Sequence, residues 1–107
     1  VVAQVRSSSG RVPVLGVGIV RGDGTPVYGV TSEMDGAAPR RDGADGYRFV
    51  LRFPALALLP GTYTVRAHAM DPEALRLFDT VEQTFTVRGR SRELGLVRLP
   101  HDWERDP

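Results

Sequence analysis

From Tyr47 to Phe53 the chain alternates at every step, with Tyr47, Phe49, Leu51 and Phe53 on one side and Arg48, Val50 and Arg52 on the other. A period of two is the signature of a strand with one face buried. After the corner Leu59-Pro60-Gly61 the pattern resumes: Tyr63, Val65, Ala67 and Ala69 are predicted inward, Thr62, Thr64, Arg66 and His68 outward. Val81, Gln83, Phe85 and Val87 alternate with Glu82, Thr84, Thr86 and Arg88 to predict another half-buried strand. Further strands are predicted over Val1 to Arg6, Val12 to Arg21, Pro26 to Thr31 and Leu94 to Leu99. Gly22-Asp23-Gly24 supplies the turn of a hairpin between the second and third of these runs. Ser32 to Gly46 has no periodicity and reads as a long exposed loop. Asp71-Pro72-Glu73 suits either one helical turn through Leu77 or a plain hairpin loop.

Seven or eight short strands, with turn signals about every ten residues, predict an all-β antiparallel sandwich of Ig-like or jelly-roll type. A chain of 107 residues with 41% hydrophobic content builds one such domain. Its net charge is +1, and its 14 arginines are interspersed with 13 acidic residues. No basic tract stands out, which argues against nucleic acid as a partner. Lysine, asparagine and cysteine are absent. Missing cysteine removes disulfide and thiolate chemistry and leaves the compartment open. The apolar run from Phe53 to Pro60 is far shorter than the roughly 20 residues of a membrane-spanning helix.

Candidate chemistry is sparse. His68 and His101 are far apart, with no cysteine or helical partner to make a metal set, so no metal site is expected. His101-Asp102-Trp103 would point to alternate faces of a strand, which disfavours a catalytic dyad and leaves Trp103 to close the core, fill an interface or stack on a sugar. No serine sits in a nucleophile elbow, and no catalytic residue is assigned. Asp42-Gly43-Ala44-Asp45-Gly46 offers two carboxylates but reads first as a turn. Gly16 and Gly18 share one side of their strand and leave room for a close approach by backbone or ligand. If the strands are neighbours, Arg48, Arg52, Thr62, Thr64, Arg66, His68, Thr84 and Thr86 form one polar sheet face. Arginine forks and hydroxyls suit carbohydrate, with Tyr28 or Trp103 as the stacking plane, although a plain solvated face has the same composition. A glycosidase would need two facing carboxylates, for which Asp79 and Glu82 are the candidates near strand ends.

The series VYGVT at 27–31, FVLRFPALALLPGTYTV at 49–65, TFTV at 84–87 and GLVRLPHDW at 95–103 resembles the C-terminal domain of Wzt-type proteins. These are the ATPase subunits of bacterial ABC transporters that export lipid-linked O-antigen and related polysaccharides. The resemblance implies a non-catalytic β-sandwich that binds the glycan before export, with Tyr28, Arg48, Arg52, Arg66, His68 and Trp103 as its candidate ligand-binding residues. It also implies a homodimer, contact with the transporter's membrane subunit through the parent protein, and a cytoplasmic place at the inner membrane. No cofactor is expected in this chain, because it has no phosphate-binding G-x-x-x-x-G-K-[ST] loop, and ATP and magnesium would belong to a separate upstream domain. One or more strands are expected ahead of Val1 by the same resemblance, and an uncovered sheet edge there would favour pairing of two copies. Two other classes stay open at this point: a dimerisation or docking sandwich without ligand, and a glycosidase-like sandwich.

Overall fold

The computed structural model describes residues 1–7, 10–72 and 77–104, which are all-β. Seven strands occur in chain order: β1 (Val2–Arg6), β2 (Val14–Arg21), β3 (Pro26–Thr31), β4 (Arg40–Arg41), β5 (Gly46–Val50), β6 (Gly61–Met70) and β7 (Leu77–Val87). They form two antiparallel sheets, β1-β5-β4 and β3-β2-β6-β7. The chain changes sheet between β1 and β2, β3 and β4, and β5 and β6, with a hairpin pair between each crossing. That order is the Ig-type sandwich, strands B-E-D facing C′-C-F-G.

The core is built where the alternation of β2, β5 and β6 turns apolar side chains inward, while Val81 of the inward register of β7 stays exposed. Leu15 and Val17 of β2 meet Tyr47 and Phe49 of β5 to form the contact between sheets, with Ala3, Val5, Val30, Leu51, Val65 and Ala67 packed around them. Ile19, Leu59 and Tyr63 are buried as well. The Leu-Pro-Gly corner carries the chain across from one sheet to the other rather than folding it into a hairpin, and Tyr63 locks it by donating its hydroxyl hydrogen to the carbonyl of Leu59. This is the tyrosine-corner device of Ig-like sandwiches. The Tyr63 ring also stacks on Phe85 of β7, with centroids 5.6 Å apart.

Several boundaries differ from the sequence reading. The strand predicted through Phe53 stops at Val50, because the chain must leave that sheet to reach the corner. The long loop contains the two-residue strand β4, which pairs Arg40 with Arg48 and Arg41 with Tyr47. Residues 94–99 do not form a strand: they make one bridge, Leu58 to Val97, with Leu59 N–H on the Leu96 carbonyl and Arg98 N–H on the Ala57 carbonyl. β7 begins at Leu77, and the turn before it, helical or plain loop, falls at 73–76, outside the described residues.

Turn chemistry is local and explicit. Gly24 takes a positive φ of 90° in the β2–β3 turn, a conformation glycine adopts without strain. Asp23 beside it pairs with Arg21 at 2.7 Å and accepts the Thr25 N–H at 3.0 Å. The Arg21 hydrogen bond first, then those from Thr25, hold the Asp23 carboxyl well below its ordinary range. A lowered folded-state pKa adds stability that is present above the ordinary carboxylate pKa and lost as pH falls toward the folded value. Side-chain titration followed by NMR is expected to find Asp23 protonating below the ordinary aspartate range, with the shift shrinking in salt because the pair is exposed.

Gly46 is required for a different reason. A Cβ there would collide with the Asp42 carbonyl oxygen, within the β4–β5 turn closed by Asp42 N–H on the Gly46 carbonyl. Gly46→Ala is expected to open that turn and cost about 1–3 kcal/mol in urea unfolding. An unchanged midpoint would refute the crowding.

Candidate functional site

The outward face of the four-stranded sheet carries polar side chains aligned by strand register. Register sets side chains there in three rows. Thr80, His68, Gly16 and Thr31 make one row; Glu82, Arg66, Gly18 and Gly29 make the next; Thr84, Thr64 and Val20 make the third. Cross-strand contacts join β6 to β7 in each row. His68 Nδ1 lies 2.9 Å from Thr80 Oγ1, Arg66 Nε lies 3.0 Å from Glu82 Oε1, and Thr64 and Thr84 hydroxyls are 3.5 Å apart. The Arg66 to Glu82 contact has ion-pair distance without hydrogen-bond alignment at Nε. It engages one edge of a five-donor fork.

The middle row drops away beyond Arg66. A Cβ on Gly18 would meet only the Tyr28 carbonyl oxygen, at 3.8 Å, and one on Gly29 would meet nothing within 4 Å. Bare backbone at two adjacent strands leaves a shallow trough about 10 Å across, set by the strand spacing. Gly16 does not extend it, since the Met70 methyl covers that position, 2.7 Å from where a Cβ would stand. The trough is thus walled by Arg66 on one side and by His68, Thr31 and Val20 at its ends, and it opens at the β3 edge.

Of the six candidate ligand-binding residues, Arg66 and His68 meet on this face, beside Thr64 and Thr84 of the expected polar face. Arg48 stands on β5 in the other sheet, between the buried Tyr47 and Phe49, and so projects from the opposite surface of the sandwich. Arg52 is exposed in the segment after β5. A single polar face of Arg48, Arg52, Arg66 and His68 assumed that the strands before and after the corner are neighbours; the crossing between sheets separates them. Tyr28 pairs with Ile19, whose side chain is buried, so it belongs to the inward register at the β3 edge. There it packs edge-on against Phe53, with centroids 6.0 Å apart, over a recess that Leu56 and Val97 help to line. Trp103 does not close the core: its side chain is 82% exposed. His101 turns back on its own chain, its Nδ1 donating to the Leu99 carbonyl at 2.8 Å.

No family model matches the chain, and the curated proteins contain no match to it.

The other chemical candidates separate on inspection. Asp79 takes the inward register opposite Ala69, whereas Glu82 is committed to Arg66 on the outward face, so the two carboxylates do not confront each other. Asp42 accepts a hydrogen bond from Gln4 Nε2 at 3.0 Å and serves the β4–β5 turn. Among the described residues no three His, Asp or Glu side chains gather as a metal set. The trough itself was only half legible in sequence. Gly16 and Gly18 signalled open space on β2, but Gly29 of β3 becomes part of it solely through strand register.

Proposed function

We propose that this chain is a non-catalytic glycan-recognition domain, of the kind that follows the ATPase domain in Wzt-type export proteins, and that the outward face of β3-β2-β6 receives the sugar. The observation that carries the reading is the bare backbone at Gly18 and Gly29 beside Arg66 and His68. A sugar ring laid on this floor meets guanidinium N–H donors, an imidazole nitrogen and the Thr31 and Thr64 hydroxyls, which together match a ring of hydroxyls that both donate and accept. Recognition there is by directional hydrogen bonds; Tyr28 is on the other face and supplies no stacking plane. The resemblance of the four sequence segments to the Wzt-type domain supports a lipid-linked polysaccharide as the natural ligand. In that setting the domain would be part of a larger ATPase, held beside the inner membrane by the transporter.

Gly29→Val separates binding from folding. The position is open, β-branched residues suit a strand, and the valine side chain would fill the trough. A bacterial O-polysaccharide array identifies an oligosaccharide, and titration calorimetry with that oligosaccharide is expected to show binding reduced about tenfold or more in Gly29→Val and in Arg66→Ala. Both variants are expected to melt within a few degrees of the parent. Absence of any glycan on the array, or equal affinity in all three proteins, would leave a sandwich whose outward ladder serves only solubility.

A further inference from the structure

Register on the smaller sheet sets two like charges against each other. Arg40 of β4 stands directly opposite Arg48 of β5. Arg48 lies between the buried Tyr47 and Phe49, so both arginines point to the outer surface. Two residues along the ladder, Asp42 N–H donates to the Gly46 carbonyl. The alternation of an antiparallel pair then makes Arg40 and Arg48 a hydrogen-bonded pair, with Cα atoms about 5.5 Å apart. Like charges directly opposite each other destabilise a sheet. The larger sheet obeys that rule, setting Arg66 opposite Glu82.

No carboxylate relieves the pair. Among the described residues neither Arg40 nor Arg48 has an ion pair or a side-chain hydrogen bond. Asp42, on the same surface, accepts from Gln4 Nε2 at 3.0 Å and pairs with neither arginine. What holds β4 in place is Arg41, whose guanidinium lies 5.4 Å from the centre of the Tyr47 ring and donates to the Ala44 carbonyl at 2.8 Å. Arg40 is thus kept against Arg48 by contacts that it does not itself make. Both side chains are exposed, with five N–H donors each.

We propose that Arg40 and Arg48 form a binding site for a phosphate group, carried by a phosphomonoester or free as inorganic phosphate. Two guanidinium forks on adjacent strands offer two positive charges and paired N–H donors from two sides. A carboxylate has two oxygens, and a single fork uses both. A phosphomonoester has three acceptor oxygens and a charge of about −1.5 to −2 at neutral pH, so it accepts from both forks and offsets both charges. Gln4, opposite Arg48 on β1, has a second amide N–H to offer, and Arg6 stands on the same face one row along, with no ion pair among the described residues. The phosphates of a polynucleotide are a poorer match, because each is a diester of single charge and two arginines make no track along a backbone. This surface is opposite the proposed sugar trough, and the site stands whether or not the trough binds glycan.

Three probes present the same group: inorganic phosphate, glucose 6-phosphate, and phosphatidylcholine vesicles containing phosphatidic acid. Chloride at matched ionic strength, glucose and pure phosphatidylcholine vesicles are the controls. In NMR titrations the Nε–H signals of Arg40 and Arg48 are expected to shift saturably with phosphate and to stay in place with chloride. Arg40→Gln and Arg48→Gln are each expected to weaken phosphate binding about tenfold or more, whereas Arg90→Gln, in the segment after β7, binds as the parent does. Arg40→Glu sets opposite charges in register. It is expected to melt above the parent in phosphate-free buffer and to lose the phosphate-dependent rise in melting temperature that the parent shows. Whichever probe binds most tightly identifies the source as free ion, soluble ester or lipid headgroup, and each of these supports the site. No saturable shift with any probe, equal shifts in phosphate and chloride, full binding by Arg40→Gln, or a phosphate-dependent rise retained in Arg40→Glu would overturn the proposal.

Discussion

Phe49→Ala is expected to destabilise the domain by about 3–5 kcal/mol, a large share of the roughly 5–15 kcal/mol that holds a domain of this size together. The reason lies in the unequal sheets. Only three strands cover four, so contact between the sheets rests on β5, where Phe49 and Tyr47 meet Leu15 and Val17. Removing the ring takes away half of one side of that contact and leaves a cavity that neighbouring β-branched residues cannot collapse to fill. Urea unfolding followed by tryptophan-independent far-ultraviolet dichroism measures it, since Trp103 is too exposed to report on the core. A loss below about 1 kcal/mol would mean that the sheets are held together elsewhere.

Tyr63 is expected to show two separable losses. Tyr63→Ala deletes the largest fully buried side chain and its stack on Phe85, for about 3–5 kcal/mol. Tyr63→Phe keeps ring and stack but leaves the Leu59 carbonyl without its donor in a buried corner, which costs about 1–3 kcal/mol. At about 4–8 °C per kcal/mol, both are readable as shifts in melting temperature. If the phenylalanine variant melts with the parent, the hydroxyl does not hold the corner and packing alone does.

Both predictions rest on features that differ in how far the sequence discloses them. The alternation of Tyr63, Val65, Ala67 and Ala69 against Thr62, Thr64, Arg66 and His68 appears unchanged in the two faces of β6. Asp23 and Gly24 marked the hairpin through their own backbone preferences, and β3 occupies the predicted residues. Residues 94–99 alternate too weakly to carry a strand on their own, and tertiary contact offered them only the short bridge to Leu58. Trp103 looked like core by residue type, but burial depends on what reaches a side chain, and nothing in the sequence said that nothing would.

For the candidate site, the two residues that meet, Arg66 and His68, are two apart on one strand, where a period of two suffices to join them. Arg48 and Tyr28 are related to them only through the path of the chain between strands. The corner at Leu59 to Gly61 is a crossing between sheets, so the condition that the strands on either side of it be neighbours is not met.

Local chemistry by itself determined the all-β character, which face of each long strand is apolar, where the tight turns fall and that Tyr63 points inward. Those properties depend on backbone preferences and on side chains one or two residues apart. Tertiary structure decided which strands are neighbours, and with that the separation of Arg48 from Arg66, the bare floor at Gly18 and Gly29, and the opposition of Arg40 to Arg48. Strand order follows from competition among long-range pairings for the same apolar surface, and no local pattern records which pairing wins.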